Sequence, residues 1–103
     1  LVAPFKDSYG PSDYFMVVLE AMATGRPTVV SDVGGMSEVI SNERGCLVDP
    51  TSVQSIAEGL LRFAVEEEVR RSVGEAARAF TEQTFLPGSI ALKHRAIYEE
   101  IAA

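Results

Sequence analysis

One stretch of the sequence carries residue types suited to holding a phosphorylated ligand. A polar loop ending in Ser12-Asp13-Tyr14 runs directly into an apolar segment that contains a single carboxylate, Glu20. Free backbone N–H groups at the start of a helix, together with the positive end of its dipole, favour a phosphate. The structural alternative is that Ser12 or Asp13 only caps the helix, which is the commoner case for such residues.

Glu20 and the pair Gly34-Gly35 are further candidates for ligand contact. A carboxylate can accept two hydrogen bonds from a sugar diol, whereas a lone glutamate on a helix is more often a solvated side chain. Two successive glycines let the backbone approach a ligand closely, or simply form a sharp turn. Asp32 and Glu38 have no spacing typical of a metal site, so no metal ligands are predicted.

Short strands and longer helices are predicted to position these residues. Apolar or β-branched runs predict strands at residues 1–5, 27–31 and 45–48. Helical spacing predicts a helix from about Phe15 to a stop at Gly25, and a brief helix follows at residues 37–40. Apolar stripes predict the later helices: Val53, Ile56, Leu60 and Phe63 behind a cap at Thr51 or Ser52; Val69, Val73, Ala77 and Phe80; and, after a loop at 85–89, Ile90, Ile97 and Ile101 with Leu92 beside them.

The alternation of strands and helices predicts an α/β fold with a parallel sheet. About three short strands make only half of a doubly wound sheet, so we expect a partial Rossmann-like sheet. Residues 1–103 are expected to form a single partial domain, closed by a C-terminal helix at about residues 87–101. Ligands of such sheets bind beyond the carboxyl ends of the strands, which here means the loops at 6–14, 32–36 and 49–52.

Composition excludes several classes of function. The net charge is −6 and the basic residues are scattered, which argues against a nucleic-acid partner. No apolar run approaches the ~20 residues that span a bilayer, so no transmembrane segment is predicted. The lone cysteine, Cys46, excludes an internal disulfide and fits a reducing, cytoplasmic compartment. Cys46 is predicted to be a small core residue, and His94 to be structural or exposed.

The stretch from Val17 to Gly35, with Glu20 near its start and Gly34-Gly35 at its end, resembles the most characteristic part of the family 4 glycosyltransferases. Residues 38–40 and 45–50 continue the match in order and spacing. The resemblance implies the second half of the C-terminal, nucleotide-sugar-binding domain of a GT-B enzyme. Such enzymes transfer a hexosyl group from a nucleoside-diphosphate sugar to an acceptor, retain the anomeric configuration, and need neither a metal nor another cofactor.

The same resemblance implies roles for individual residues. Glu20 matches the second glutamate of the family's motif of two glutamates seven residues apart, and would hold the ribose hydroxyls. At the position of the first glutamate stands Ser12, so Asp13 is the candidate for the catalytic contact with the sugar. The diphosphate would be held by the backbone amides of Phe15, Met16 and Val17. The loop close to the donor would be Gly34 and Gly35.

The expected partners are a nucleotide sugar and an acceptor sugar or lipid bound by a missing N-terminal domain. Through that domain the protein would be peripheral to the membrane. The closing helix of GT-B relatives crosses towards the same domain, so some of its apolar face is expected to lack a partner. In the family the basic pair that neutralises the diphosphate also lies upstream, and the chain alone is therefore expected to be inactive.

Two other classes of protein are alternatives to this prediction. A non-catalytic nucleotide-binding or interaction module with the same fold stays open, because the loop before Glu20 departs from the family pattern. A phosphorylase is disfavoured, because neither Lys6 nor Lys93 stands in the context of a pyridoxal phosphate lysine.

Overall fold

The structure, a computed structural model, describes residues 1–6, 16–85 and 87–102. Strands and short helices alternate in the first half, and three long helices follow. The elements are β1 (Val2–Ala3), α1 (Met16–Ala23), β2 (Val29–Ser31), α2 (Met36–Val39), β3 (Cys46–Val48), α3 (Val53–Val65), α4 (Glu67–Thr84) and α5 (Pro87–Ala102).

The three strands form a parallel sheet in the order β1-β2-β3. Val29 of β2 lies opposite Val2 on one side and Cys46 on the other. All three residues of β2 are buried, as expected of the central strand of a parallel sheet covered on both faces. The predicted α/β class and the parallel sheet are confirmed.

Each face of the sheet carries its own core. Successive side chains of a strand point to opposite faces, so the neighbours Val29 and Val30 enter different cores. Val30 packs with Val18 and Met22 of α1. On the other face, Val29 and Val48 pack with α3 and α4.

Helix α4 contributes to both cores. Val73 belongs to the core on the α3 face, whereas Ala77, one turn later, belongs to the core on the α1 face. Its middle packs against the turn before β2, where a Cβ on Gly74 would collide with the carbonyl oxygen of Gly25. Near its end, Phe80 lies 3.9 Å below the guanidinium of Arg44, in the turn before β3. Helix α4 therefore crosses the amino edge of the sheet.

Two predictions about buried positions were wrong. Residues 1–5 were predicted to be a buried strand, but Leu1 and Val2 are 42% and 43% exposed. The reason is that β1 pairs with β2 on one side, and no described strand lies on the other. Val53 was predicted on the buried stripe of α3, yet it is 84% exposed, because it opens the helix and the buried residues lie later, at Gly59 and Phe63.

The predicted loop at residues 85–89 was too long. Helix α5 begins at Pro87, because proline fits the first turn of a helix, where its missing N–H would have no partner. Its apolar face is exposed: Ile97 is 52% and Ile101 77% accessible. Since α5 gains little from burial, it depends on local interactions such as the Arg95–Glu99 ion pair of 2.9 Å.

The close approach at Gly74 predicts a specific sensitivity. Gly74→Ala should destabilise the fold by about 1–3 kcal/mol, because the added methyl meets a backbone carbonyl rather than a flexible side chain. Gly88→Ala is the matched control: a Cβ there has nothing within 4 Å, so the greater helix propensity of alanine should leave stability unchanged or higher. Urea unfolding of both variants checks this, and equal effects would contradict it.

The exposure of α5 predicts uneven protection from hydrogen exchange. Amides of residues 90–101 should exchange faster than those of Val29 and Val30, because local opening of α5 exposes little new apolar surface. The segment Val73 to Ala77 of α4, buried in both cores, serves as a helical control that stays protected. Protection of α5 equal to that of β2 in a monomeric sample would show that its apolar face is packed after all.

Candidate functional site

The candidate site lies at the carboxyl edge of the sheet, where the loops after β1, β2 and β3 emerge. Ligands of parallel α/β sheets bind at this edge because the loops and helix starts converge there. The described parts of the loops are residues 4–6, 32–35 and 49–52. Asp13 and Phe15, two of the predicted site residues, fall within 7–15 and lie outside the described residues.

The start of α1 lies beside the end of β1. Val18, in the first turn, is fully buried in the same core as Ala3, the last residue of β1. Met16 and Val17 are exposed instead, at 63% and 46%. The first N–H groups of a helix have no partner within the helix, so the predicted contacts of Met16 and Val17 with an anion would form here. That role stays a prediction.

Glu20 lies on the exposed side of α1. Two residues away in either direction are the buried Val18 and Met22, so at about 100° per residue Glu20 points away from the core. It borders a groove of about 350 Å³ between α1, the end of α4 and the start of α5, lined also by Met16, Leu19, Ala23, Thr81, Phe85 and Ile90. We expected the Glu20 carboxylate to face the crevice at the carboxyl edge; it is exposed instead, beside a groove whose lining includes no residue of the loops after β2 and β3. Its ribose role stays a prediction.

The Gly34-Gly35 loop is held tightly to the sheet. The N–H of Asp32 donates to Val48 O at 2.9 Å, which extends the pairing of β2 with β3. Gly34 then adopts a φ of +58°, a left-handed conformation that glycine takes without strain. Gly35 leads into α2, whose residues Met36 and Val39 are buried. The backbone of this loop is exposed at Gly34 and fixed on both sides.

The loop after β3 is organised by Asp49. Its Oδ1 accepts hydrogen bonds from the Thr51 N–H at 2.9 Å and the Thr51 hydroxyl at 2.7 Å. These bonds, the side-chain one first, hold the pKa of Asp49 below its ordinary value. Ser52 caps α3 by accepting from the Ser55 N–H at 3.1 Å, which decides between the two predicted caps. The sequence showed a strand ending at Asp49-Pro50, but the role of Thr51 in holding that carboxylate was missed.

Cys46 and His94 take no part in this arrangement. Cys46 is half-buried against the core on the α3 face, as predicted, and His94 is exposed on α5. Within the described ranges, no three His, Cys, Asp or Glu side chains come together in a way that could hold a metal ion. Nor does any helix in that part of the chain have the length and apolar character to cross a bilayer.

The family is decided by residues 15–80, which match the sequence profile of the glycosyl transferases group 1 family. The chain belongs to this glycosyltransferase family. The match runs from the start of α1 into α4 and includes Glu20 and the Gly34-Gly35 loop. It confirms the resemblance found in the sequence.

Individual relatives agree with this assignment. N-acetyl-alpha-D-glucosaminyl L-malate synthase of Bacillus anthracis is 32% identical over 97 residues, covering 93% of this chain and 24% of that protein. Among solved structures, sucrose-phosphate synthase of Thermosynechococcus elongatus superposes with a TM-score of 0.79 at 29% identity, over 97% of this chain and 24% of its own. HepE of Anabaena, solved with UDP-glucose, gives a TM-score of 0.72 at 23% identity, over 90% of this chain and 25% of its own, and shows likeness of fold. The chain spans about a quarter of the length of these proteins.

The hydrogen bonds at Asp49 predict the effect of removing one donor. Thr51→Val should raise the pKa of Asp49 towards its ordinary value, because the side-chain bond is the largest cause of the lowering. Carbon-detected NMR titration measures this directly. Thr24→Val, which removes a hydroxyl bonded to Ala21 O, is the control and should leave Asp49 unchanged.

The linked effect on stability has a definite sign. A lowered pKa in the folded state means that the Asp49 contribution is present above the unfolded pKa and is lost as the pH falls through the folded value. Thr51→Val should therefore lower the free energy of unfolding at neutral pH, but not at a pH below the folded pKa of Asp49. A loss of the same size at every pH would mean that Thr51 acts through packing alone.

Proposed function

We propose that this chain forms the donor-binding part of a retaining glycosyltransferase, which transfers a hexosyl group from a nucleoside-diphosphate sugar. The observation that carries the proposal is the family match over residues 15–80, which covers α1, Glu20 and the Gly34-Gly35 loop together. Supporting geometry comes from the carboxyl edge, where the exposed start of α1 and the fixed glycine loop are both next to the sheet. Family membership supports transfer, and the site geometry supports the donor side of it.

In this proposal the start of α1 binds the diphosphate of the nucleotide, and Glu20 binds its ribose. The N–H groups of Met16 and Val17, with Phe15, hold the diphosphate, and the Glu20 carboxylate accepts hydrogen bonds from the ribose hydroxyls. Negative charge grows on the diphosphate as the sugar departs, so donors aimed at it stabilise the transition state more than the ground state. A protein of the same fold, HepE, was solved with UDP-glucose, which agrees with a nucleotide-sugar donor.

In this proposal, the choice of sugar and acceptor depends on residues outside the region shared with the relatives. The relatives are named for different products, an N-acetylglucosaminyl malate in one case and sucrose phosphate in another. The region shared with them therefore fits the common part of the reaction, which is the nucleoside diphosphate. We infer that the acceptor, a sugar or a lipid, is held by a further domain, and that this chain alone transfers nothing. The chemistry proposed here needs no metal ion.

A non-catalytic module remains the second candidate, and one observation favours it. Ser12 stands where the family has a glutamate that contacts the sugar, and Asp13 is one position away. A module of this kind would bind the nucleotide through Glu20 as an enzyme does, but it would not hydrolyse or transfer the sugar. Turnover of the donor by the full-length protein, measured beside donor binding, separates the two candidates.

Replacing the proposed ribose ligand should weaken donor binding. In the full-length enzyme, Glu20→Gln should reduce affinity about ten- to a hundredfold, because a charge-assisted hydrogen bond contributes about 1.5–3 kcal/mol. Calorimetric titration with UDP, GDP and ADP measures the loss and identifies the base. Glu75→Gln makes the same change on the exposed side of α4 and should bind as the unmodified enzyme does. Equal affinity of the Glu20 variant and this control would rule out the ribose role.

A further inference from the structure

Among the described residues, helix α5 has no packing partner along most of its length. It has 16 residues, which span about 24 Å, and its described side chains from Ile90 to Ala102 are all exposed. Isolated helices of this length are marginal in water, because most helical stability in proteins comes from the packing of one face. Ile90, near the start of α5, lines the groove shared with α1 and α4. A partner from outside the chain would therefore stabilise the rest of the helix.

The exposed apolar side chains of α5 lie mainly along one line, the α5 stripe. Three isoleucines and a histidine follow one another at intervals of four, three and four residues: Ile90, His94, Ile97 and Ile101. These intervals are the alternating d and a positions of a heptad repeat. At about 100° per residue, the four side chains point within about 60° of one another, and Leu92 points to the opposite side. The α5 stripe thus has the spacing at which two helices pack together.

The charges of α5 suit a second, antiparallel copy of the same helix. Lys93 and Glu100 border the α5 stripe on the same side, both at g positions, and neither has an ion-pair partner among the described residues. Arg95 and Glu99 point away from the stripe and pair with each other at 2.9 Å. In an antiparallel pair the g positions of the two helices face each other. Lys93 of each copy would therefore meet Glu100 of the other.

The other border of the α5 stripe is uncharged. Ala91 and Tyr98 both occupy e positions there, so the same alignment places the ring of Tyr98 beside the small Ala91 of the other copy. A parallel alignment would place Lys93 beside Tyr98 instead and would form no ion pair. It would also bring residues 16–85 of both copies to the same end of the helix pair. Size and charge therefore both favour the antiparallel alignment.

We propose that two copies of this chain associate through their α5 helices, which pack antiparallel about a twofold axis between Arg95 and Ala96. Such a contact is self-complementary, so every interaction occurs twice. Ile97 of each copy packs against His94 of the other. The polar His94 lowers the stability of the pair but favours this one register, as polar residues at a positions do in coiled coils.

Each end of the helix pair reaches the groove beside Glu20. Ile90 lines this groove, and in the proposed register Ile101 of the second copy packs against Ile90. The apolar side chains of Leu19 and Phe85 line the same groove and favour that contact. The negative end of the second helix dipole also approaches Glu20, which opposes it. Association through this short contact is therefore expected to be weak and reversible.

Sedimentation of the chain at increasing concentration tests the proposal. We expect a reversible equilibrium between monomer and dimer at micromolar to millimolar concentration, because a single short helix pair buries less area than a standard interface. Hydrogen exchange at residues 90–101 should slow as the dimer forms, while exchange at Val29 and Val30 stays the same. A chain that remains monomeric at millimolar concentration would overturn the proposal and would leave the α5 stripe to another part of a longer protein.

Exchanging the two border charges tests the antiparallel register. Lys93→Glu and Glu100→Lys should each weaken dimerisation about tenfold, because two attractive pairs become two repulsive ones. Both substitutions in one chain should restore the dimer, since each pair forms again with its charges reversed. An equimolar mixture of the two single variants should form a mixed dimer for the same reason. Failure of both rescues would contradict the proposed register.

Substitutions on opposite sides of α5 distinguish this pair from non-specific aggregation. Ile97→Ser should weaken dimerisation about a hundredfold, because an apolar side chain is lost from the α5 stripe of both copies. Leu92→Ser is the matched control: Leu92 is 68% exposed and Ile97 52%, but Leu92 points away from the stripe, so dimerisation should persist. Equal effects of the two substitutions would mean that the chains associate through general apolar exposure, which would overturn the proposal.

Discussion

The close contact between Gly74 of α4 and the backbone at Gly25 holds α4 against the turn between α1 and β2. Helix α4 reaches both cores, and it does so by crossing the amino edge of the sheet at the turn that connects α1 to β2. A side chain at residue 74 would push that turn away, and α1 would move with it. Because Val18 and Met22 hold α1 on the sheet from one side and α4 holds it from the other, the start of α1 has one place beside β1. The amino edge therefore positions a site that lies at the opposite edge.

Much of this fold could be predicted from local patterns. The β-branched run at 28–30 identifies a buried strand because it is covered on both faces, and the apolar run at 46–48 identifies a strand of which Val48 is buried and Cys46 and Leu47 are half-buried. The same argument failed at Leu1 and Val2, where an equally apolar run lies at the edge of the described sheet. Periodicity also could not show that Val53, at the start of α3, packs against no other element. An apolar stripe predicts the direction in which a side chain points, but not whether another element lies in that direction.

The sequence indicated some residues of the candidate site and not others, for a physical reason. Glu20 and the glycine pair could be proposed as site residues because their neighbours in sequence carry the family pattern, and Gly34 has the left-handed backbone that glycine adopts without strain. Asp49 and Thr51 form their bonds across two residues in a loop, and such pairs occur at many strand ends without a function.

One exposed apolar groove borders Glu20, which links the fold to the proposed chemistry. The exposed apolar side chains lie in different grooves: Val2 lines one with Leu60 and Phe63 of α3, and Met16 lines the groove beside Glu20. Ile90 of α5 lines the groove beside Glu20, and the same stripe continues to the exposed Ile97 and Ile101. The relatives are about four times longer than this chain, so they have the material to cover such surfaces. Covering the groove would also remove water from around Glu20, and a hydrogen bond to the donor becomes stronger as the surrounding dielectric falls. In the proposed enzyme, an element that covers this groove would therefore also strengthen donor binding, which is a physical reason for the chain alone to bind weakly.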